Sequence, residues 1–189
     1  MQTTFIRHLP TEWNKKKWLQ GRKDINISPL TEEFQEGVAS NQYLLKKWSP
    51  FDLVLASTLV RTAQTAHLYG YFPEQDRLLD ELDFGHFEGK PKEQLLKQYG
   101  EQWFNHPKTL MLGENITNLE NRIILFLKKY KAFSNILVFG HGAWIRAILS
   151  YHQYGHINNM NKITLENNQY VKLSWHIEQQ IDDRNGLPL

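Results

Sequence analysis

The sequence predicts a three-layer α/β/α sandwich with a mostly parallel central sheet. Two short apolar runs, at residues 53–56 and 136–139, are typical of buried parallel strands because turn-forming residues bound each of them. Stretches with helical spacing of apolar residues alternate with these runs along the chain. No linker or repeat divides residues 1–178, so we expect a single domain there, followed by a polar C-terminal tail at residues 179–189.

The composition is that of an ordinary globular protein, and it excludes several classes of function. Hydrophobic residues make up 41% of the chain, charged residues 22%, and the formal net charge is +2, so we expect no nucleic-acid or membrane partner. The absence of cysteine excludes disulfides, iron–sulfur clusters and thiol catalysis. The chain shows neither a signal-like N-terminus nor an apolar run of membrane-spanning length, and we therefore expect a cytoplasmic protein.

The first half of the chain provides two strands and two helices. Residues 3–6 can form a short strand that Pro10 prevents from continuing. A polar, irregular stretch follows, and the segment 28–31 then begins a helix that should end near Trp48. After the buried strand at residues 53–56, we expect Ser57 to cap the next helix.

In the middle of the chain, we predict shorter and less regular elements. Residues 77–79 could form a third strand, which leads into an acidic turn. The region 91–113 is expected to hold short helices and loops with enough aromatic residues to make a lid. Thr117 begins a capping box and should start a helix whose apolar residues keep helical spacing as far as Tyr130.

The last part of the predicted fold is a strand, a helix and a hairpin. The strand at residues 136–139 should be followed by a helix over residues 143–151, which carries Trp144 inward. Residues 163–165 and 170–173 could pair as a closing hairpin around an Asn-Asn turn.

The candidate functional residues of this sheet follow its strands. Because the carboxyl ends of parallel strands meet at one edge of a sheet, side chains placed just after them should converge. An arginine offers a fixed cation, and a histidine offers a nucleophile that is largely neutral near pH 7, a pair suited to phosphate chemistry. In chain order, these residues are Arg7, His8, Ser57, Arg61, Glu81 and His141.

The same segments carry motifs that resemble the histidine phosphatase superfamily, in its phosphoglycerate mutase-like branch 1 type. The resemblance covers about residues 3–150 in the expected order. The motifs are RHLPTEWN at 7–14, GRKD at 21–24, STLVRTAQTA at 57–66, LDELDFGHFEG at 79–89 and VFGHG at 138–142, with a weaker match in GEN at 113–115. One departure stands out: Leu9 replaces the glycine that follows the histidine in the family motif, and we expect its bulky side chain beside the pocket.

The resemblance implies a phosphoglycerate mutase-like fold and a role for each matching residue. His8 would attack phosphorus and form a phosphohistidine, and Glu81 would give a proton to the leaving alkoxide and then activate water. Asp80, Asp83 and Glu88 compete for that acid role, but the motif spacing favours Glu81. The phosphate or substrate would be bound by Arg7, Asn14, Arg22, Arg61 and His141.

The expected function is hydrolysis of a phosphomonoester of a small metabolite without a metal or a cofactor. His152 and His156 share a helical spacing, but no third ligand follows them, so we predict no metal site. The alternatives are a 2,3-bisphosphoglycerate-dependent phosphoglycerate mutase, a phosphohistidine-protein phosphatase and a non-catalytic phosphate-binding module. The substrate stays open at this point, and either a monomer or a homodimer is compatible with the sequence.

Overall fold

The structure, a computed structural model, describes residues 1–175, which fold around a five-stranded sheet. The strands lie in the order β3-β2-β4-β1-β5. Their bounds are β1 (Gln2–Arg7), β2 (Leu53–Ala56), β3 (Glu74–Gln75), β4 (Asn135–Gly140) and β5 (Tyr170–Ser174). Strands β1 to β4 run parallel to one another, and β5 runs antiparallel to β1 at the edge of the sheet. The predicted α/β class with a mostly parallel sheet is confirmed.

Helices cover both faces of this sheet. They are α1 (Glu12–Lys15), α2 (Glu32–Trp48), α3 (Val60–Leu68), α4 (Lys92–Asn105), α5 (Ile116–Tyr130) and α6 (Gly142–Tyr154). In β1, Phe5 packs into the core that includes α5 and α6, while the adjacent Ile6 packs into the core that includes α2 and α3. Successive strand residues point to opposite faces, so this alternation produces the three layers.

The strand register brings the ends of three strands to the same edge. Arg7 at the end of β1 lies opposite Gly140 at the end of β4, and Ala56 at the end of β2 lies opposite Phe139. The residues that follow these strands therefore begin at one level of the sheet. This geometry supports the expected convergence of the candidate residues.

Two predicted strands differ in the structure. Residues Arg77–Leu79 form a 3-10 turn, because the Asp76 carboxylate accepts a hydrogen bond from the Leu78 N–H at 2.8 Å and closes the chain into a turn. The third strand is the short β3 just before it. The expected hairpin is also wrong: β5 pairs with β1, and residues 163–165 form no strand.

Two helix starts differ from the predicted ones. The N-cap of α3 is Leu59, and the Ser57 hydroxyl is instead hydrogen-bonded inside the candidate site. The N-cap of α5 is Asn115, whose side chain accepts a hydrogen bond from the Thr117 N–H at 2.9 Å. Serine, threonine and asparagine side chains can all accept such bonds, so tertiary contacts decide which residue caps each helix.

The region 91–113 contains a longer helix than expected. It holds α4, kinked at Gly100, and a 3-10 turn over Pro107–Thr109, and its function as a lid stays a prediction. The predicted tail at residues 179–189 lies outside the described residues. Among residues 1–175, no helix combines the length and the apolar character needed to cross a membrane.

Helix α5 allows a direct test of the core. Phe126 is fully buried and packs against the rings of Phe5 and Trp144, whereas Leu125, its neighbour in the chain, is 52% exposed. Phe126→Ala should lower the free energy of unfolding by about 3–5 kcal/mol because it leaves a cavity. Leu125→Ala, the matched control, should change it by no more than about 0.5 kcal/mol in urea denaturation. Equal effects would contradict the assignment of the inner face of α5.

Candidate active site

His8 follows β1 and is buried at the sheet edge. Its Nδ1 lies 2.7 Å from the carbonyl oxygen of Leu9, and since a carbonyl only accepts, Nδ1 carries the proton and donates it. In the neutral ring, Nε2 then keeps its lone pair. Burial, followed by the charges of Arg61 and Arg7, lowers the pKa of His8 well below its usual 6.5. The imidazole is therefore neutral, and its orientation is fixed by the hydrogen bond at Nδ1.

The Leu9 side chain does not line the site, which corrects the expectation from its bulk. It is fully buried in the core between the sheet and the α2–α3 layer, together with Ile6, Val38 and Ala66. Only its backbone meets the site, through the carbonyl that orients His8. Any residue has such a carbonyl, so the replacement of the family glycine leaves the geometry of His8 intact.

Two arginines flank the histidine. Arg7 donates from Nη1 to the carbonyl of Leu165 at 2.5 Å, and its buried Nε has no hydrogen-bond partner within the described chain. Arg61 is fully buried and donates from its two Nη atoms to the carbonyls of Gly21 and Lys23, both at 2.7 Å. Burial is the main cause that lowers the pKa of each guanidinium to about 10, so both stay cationic at neutral pH.

His141 lies beside His8, with the ring centroids 5.3 Å apart, but both of its ring nitrogens are engaged by the protein. Arg61 Nε donates to His141 Nδ1 at 3.2 Å, so the proton resides on Nε2, which donates to the Ser57 hydroxyl at 2.6 Å. Burial and Arg61 lower the pKa of His141 well below 6.5. His141 thus fixes the orientation of Arg61, and its expected contact with phosphate stays a prediction.

Glu81 reaches the site from the turn after the third strand and sits on the N-terminus of α6. Its carboxylate accepts hydrogen bonds from the backbone N–H groups of Ala143 and Trp144, both at 3.0 Å, and from its neighbour Leu82 at 2.9 Å. The free N–H groups and the dipole of a helix N-terminus stabilise an anion at this position. These bonds hold the carboxylate beside the residues that follow β4.

The three competing carboxylates are engaged in holding loops. Asp80 accepts hydrogen bonds from the backbone and hydroxyl of Thr58, and Asp83 accepts one from the backbone N–H of Gly85. Glu88 accepts from the backbone N–H groups of Arg22 and Phe84, at 2.8 and 3.2 Å. Since none of the three has a contact with α6 like that of Glu81, the geometry favours Glu81 as the acid.

Asn14 lies in the short helix α1, and Arg22 lies in the loop between α1 and α2. Asn14 uses its Oδ1 to accept hydrogen bonds from the backbone and hydroxyl of Thr11, which leaves its amide NH₂ group as a donor. Arg22 is more exposed, and its guanidinium lies 3.3 Å from the Glu114 carboxylate and 3.5 Å from the carbonyl of Glu81. Arg22 therefore lies at the rim of the site, near the backbone of the candidate acid.

Two further cations were not assigned from the sequence. A Cβ placed on Gly142 would lie 3.2 Å from both Arg146 Nη1 and Arg7 Nε, so a residue without a side chain lets the two guanidinium groups approach each other. Lys92 at the start of α4 couples electrostatically to both arginines, and partial desolvation lowers its pKa. In residues 1–175, neither Arg146 nor Lys92 forms an ion pair. The position of Arg146, shortly after the second histidine motif, is a sequence signal that could have assigned it to the site. Lys92 carried no such signal.

Comparison with known proteins gives one family. Residues 3–183 match the histidine phosphatase superfamily (branch 1). A Bacillus subtilis protein named as an uncharacterized phosphatase is 31% identical over 153 residues, which cover 77% of this chain and 74% of that protein. A 2,3-bisphosphoglycerate-dependent phosphoglycerate mutase of Tropheryma whipplei is 26% identical, with 77% and 80% covered. The α-ribazole phosphatase of Shigella flexneri shares the fold at a TM-score of 0.74 and 24% identity, over 95% of this chain and 92% of that one.

The buried neutral histidine predicts a pH-dependent stability. The folded pKa of His8 lies below the unfolded value of 6.5, so below that pH the unfolded chain binds a proton that the folded chain does not. The free energy of unfolding should therefore fall as the pH decreases from about 7 to about 5, with His8 contributing up to about 1.4 kcal/mol per pH unit. His8→Asn, whose amide can still donate to the Leu9 carbonyl, should remove this share in urea denaturation.

The matched control is His67→Asn, because His67 is an exposed histidine of α3. This variant should keep the pH slope of the wild type. A His8→Asn variant with an unchanged slope would show that His8 is not held neutral by the fold.

Proposed function

This chain belongs to the histidine phosphatase superfamily (branch 1), and we propose that it hydrolyses phosphomonoesters of small metabolites through a phosphohistidine formed on His8. The observation that carries the proposal is the His8 ring, whose proton is held on Nδ1 by the Leu9 carbonyl while two arginines flank it. A neutral imidazole can approach an anionic phosphate without charge repulsion. A binding module would need the arginines but neither an oriented nucleophile nor an acid.

The first step transfers the phosphoryl group to the enzyme. The lone pair of His8 Nε2 forms a bond to phosphorus while the bond from phosphorus to the ester oxygen breaks, and Glu81 gives its proton to the departing alkoxide. The three non-bridging oxygens carry the charge of the transition state, and Arg7, Arg61 and the NH₂ group of Asn14 donate hydrogen bonds to them.

The second step regenerates the enzyme. Glu81, now ionised, takes a proton from a water molecule whose oxygen forms a bond to phosphorus, and the bond from phosphorus to His8 Nε2 breaks. Inorganic phosphate leaves, His8 is again neutral, and Glu81 again holds a proton. The N-terminus of α6 holds the Glu81 side chain in place, because the backbone N–H groups of Ala143 and Trp144 donate to its two oxygens.

The mutase is the second candidate function, and the observation that favours it is that Arg146 and Lys92 form no ion pair within residues 1–175. Arg146 and Lys92 could bind a further anionic group of the substrate, such as the carboxylate of a phosphorylated hydroxy acid. A mutase must retain the phosphohistidine until the group returns to the substrate. Its activity with 3-phosphoglycerate would depend on 2,3-bisphosphoglycerate as a primer, whereas a phosphatase would release inorganic phosphate without it.

The covalent intermediate can be trapped with radiolabelled p-nitrophenyl phosphate in excess chelator. Its aryl leaving group needs no proton, so Glu81→Gln should still be phosphorylated but should activate water about 100-fold more slowly. This variant should therefore accumulate label that survives base and is lost in acid, as expected for a P–N bond. His8→Asn should acquire no label and lose turnover.

His67→Asn serves as the control and should turn over like the wild type. Label on the His8→Asn protein would exclude His8 as the nucleophile, and activity lost to the chelator would exclude the metal-independent route. If the wild type binds phosphate but neither acquires label nor turns over the ester, the chain is a non-catalytic phosphate-binding module.

The role of Arg146 can be tested by comparing two alkyl phosphates. Arg146→Gln should lower kcat/KM about 10- to 100-fold for 3-phosphoglycerate, because a hydrogen bond to a charged group contributes about 1.5–3 kcal/mol. For glycerol phosphate, which lacks the carboxylate, the change should stay within about threefold. Arg77→Gln, at an exposed arginine of the 3-10 turn, is the control. Equal losses on both esters would contradict a second anion site.

A further inference from the structure

Glu114 contacts three separate segments of the chain near Glu81, the candidate acid. Its carboxylate is 10% exposed, and a single oxygen, Oε1, lies 2.7 Å from Arg122 Nη2 and 3.3 Å from Arg22 Nη2. The same oxygen accepts a hydrogen bond from the backbone N–H of Asp83 at 3.1 Å. One buried carboxylate thus joins α5, the loop that carries Arg22 and the turn that carries Glu81.

Arg122 extends this contact to the other side of Glu81. From α5, its Nη1 donates to the carbonyl of Asp80 at 2.5 Å and to the carbonyl of Leu78 at 3.2 Å. Since Glu114 contacts the backbone of Asp83, the pair holds the chain both before and after Glu81. A guanidinium can make these contacts together because its donors form a rigid planar fork.

The contact between the two turns leaves no space for adjustment. The N–H groups of Gly113 and Glu114 both donate to the carbonyl of Asp83, at 3.0 and 3.3 Å. A Cβ on Gly113 would lie 2.6 Å from the backbone nitrogen of Gly85 as well as 1.7 Å from the Asp83 carboxylate, so only glycine fits there. The backbone around Glu81 is therefore positioned by this packing as well as by the Glu114–Arg122 pair.

We propose that Glu114 is a positioning residue for proton transfer by Glu81, acting through Arg122 and the Asp83 N–H. The inference rests on the proposed function, because it assigns to Glu114 the placement of the acid. Within residues 1–175, the polar contacts of the Glu114 carboxylate are with Arg22, Arg122 and the backbone N–H of Asp83, so its role is to position other groups. A misplacement of a reacting group on the order of 1 Å can cost about 100-fold in rate.

The leaving group separates this role from a general loss of structure. An alkyl phosphate needs the proton from Glu81 when its alkoxide departs, whereas p-nitrophenolate leaves as a stable anion. The quantity to compare is kcat/KM, since it contains only the steps up to departure of the leaving group. Glu114→Gln should lower it about 10- to 100-fold for glycerol phosphate and no more than about threefold for p-nitrophenyl phosphate.

Glu81→Gln is measured in parallel as the reference, and Glu120→Gln is the matched control. Like Glu114, Glu120 is an ion-paired carboxylate with little exposure (13%). It lies on α5, and its partners are Lys108 and the backbone of Ile157. Glu120→Gln should leave the ratio of the two kcat/KM values unchanged. If Glu81→Gln itself shows no selectivity for the alkyl ester, the proposed function fails. If Glu81→Gln shows it and Glu114→Gln loses both activities equally, the inference about Glu114 fails.

A second variant decides the case if Glu114→Gln does not fold. Arg122→Lys keeps the positive charge beside Glu114, but a single ammonium cannot reproduce the fork that joins Leu78, Asp80 and Glu114. Its kcat/KM should fall selectively for the alkyl phosphate, as in Glu81→Gln. An unchanged ratio in folded Arg122→Lys would overturn the proposal.

Discussion

The parallel pairing of β1 with β4 is the constraint on which the site depends. It sets Arg7 opposite Gly140, so the two histidines that follow these strands, His8 and His141, start from the same level and end with adjacent rings. The β2–β4 register adds Ser57 in the same way. Because backbone hydrogen bonds fix the register, the placement of these side chains is a property of the sheet, and the loops supply only the outer contacts.

The site concentrates positive charge and keeps its histidines neutral by the same means. Arg7 and Arg61 are desolvated, and their charges disfavour a further proton on His8 and His141. The hydrogen bonds of Arg61 go to backbone carbonyls and to the His141 ring. Within residues 1–175, no carboxylate forms an ion pair with Arg61, which leaves its charge available to a phosphate.

Glu81, the candidate acid, is held by a different set of interactions. The carboxylate of Glu81 is bound by the N-terminus of α6, and its backbone is held on both sides by Arg122 and Glu114. The position of His8, the proposed nucleophile, depends on the end of β1, and that of Glu81, the proposed acid, depends on the packing of α5 and α6 against the turn after β3. Separate parts of the core thus position the two candidate residues.

The sequence by itself determined the fold class, the strands at residues 53–56 and 136–139 and the family motifs, because period and turn chemistry are local properties. Only the tertiary structure decided which polar residues cap helices and which enter the site: Ser57 was predicted as a cap and instead binds His141. It also placed the Leu9 side chain in the core and brought Arg146 and Lys92 toward Arg7. Such contacts join residues distant in the chain, and their direction follows from packing, which local patterns do not encode.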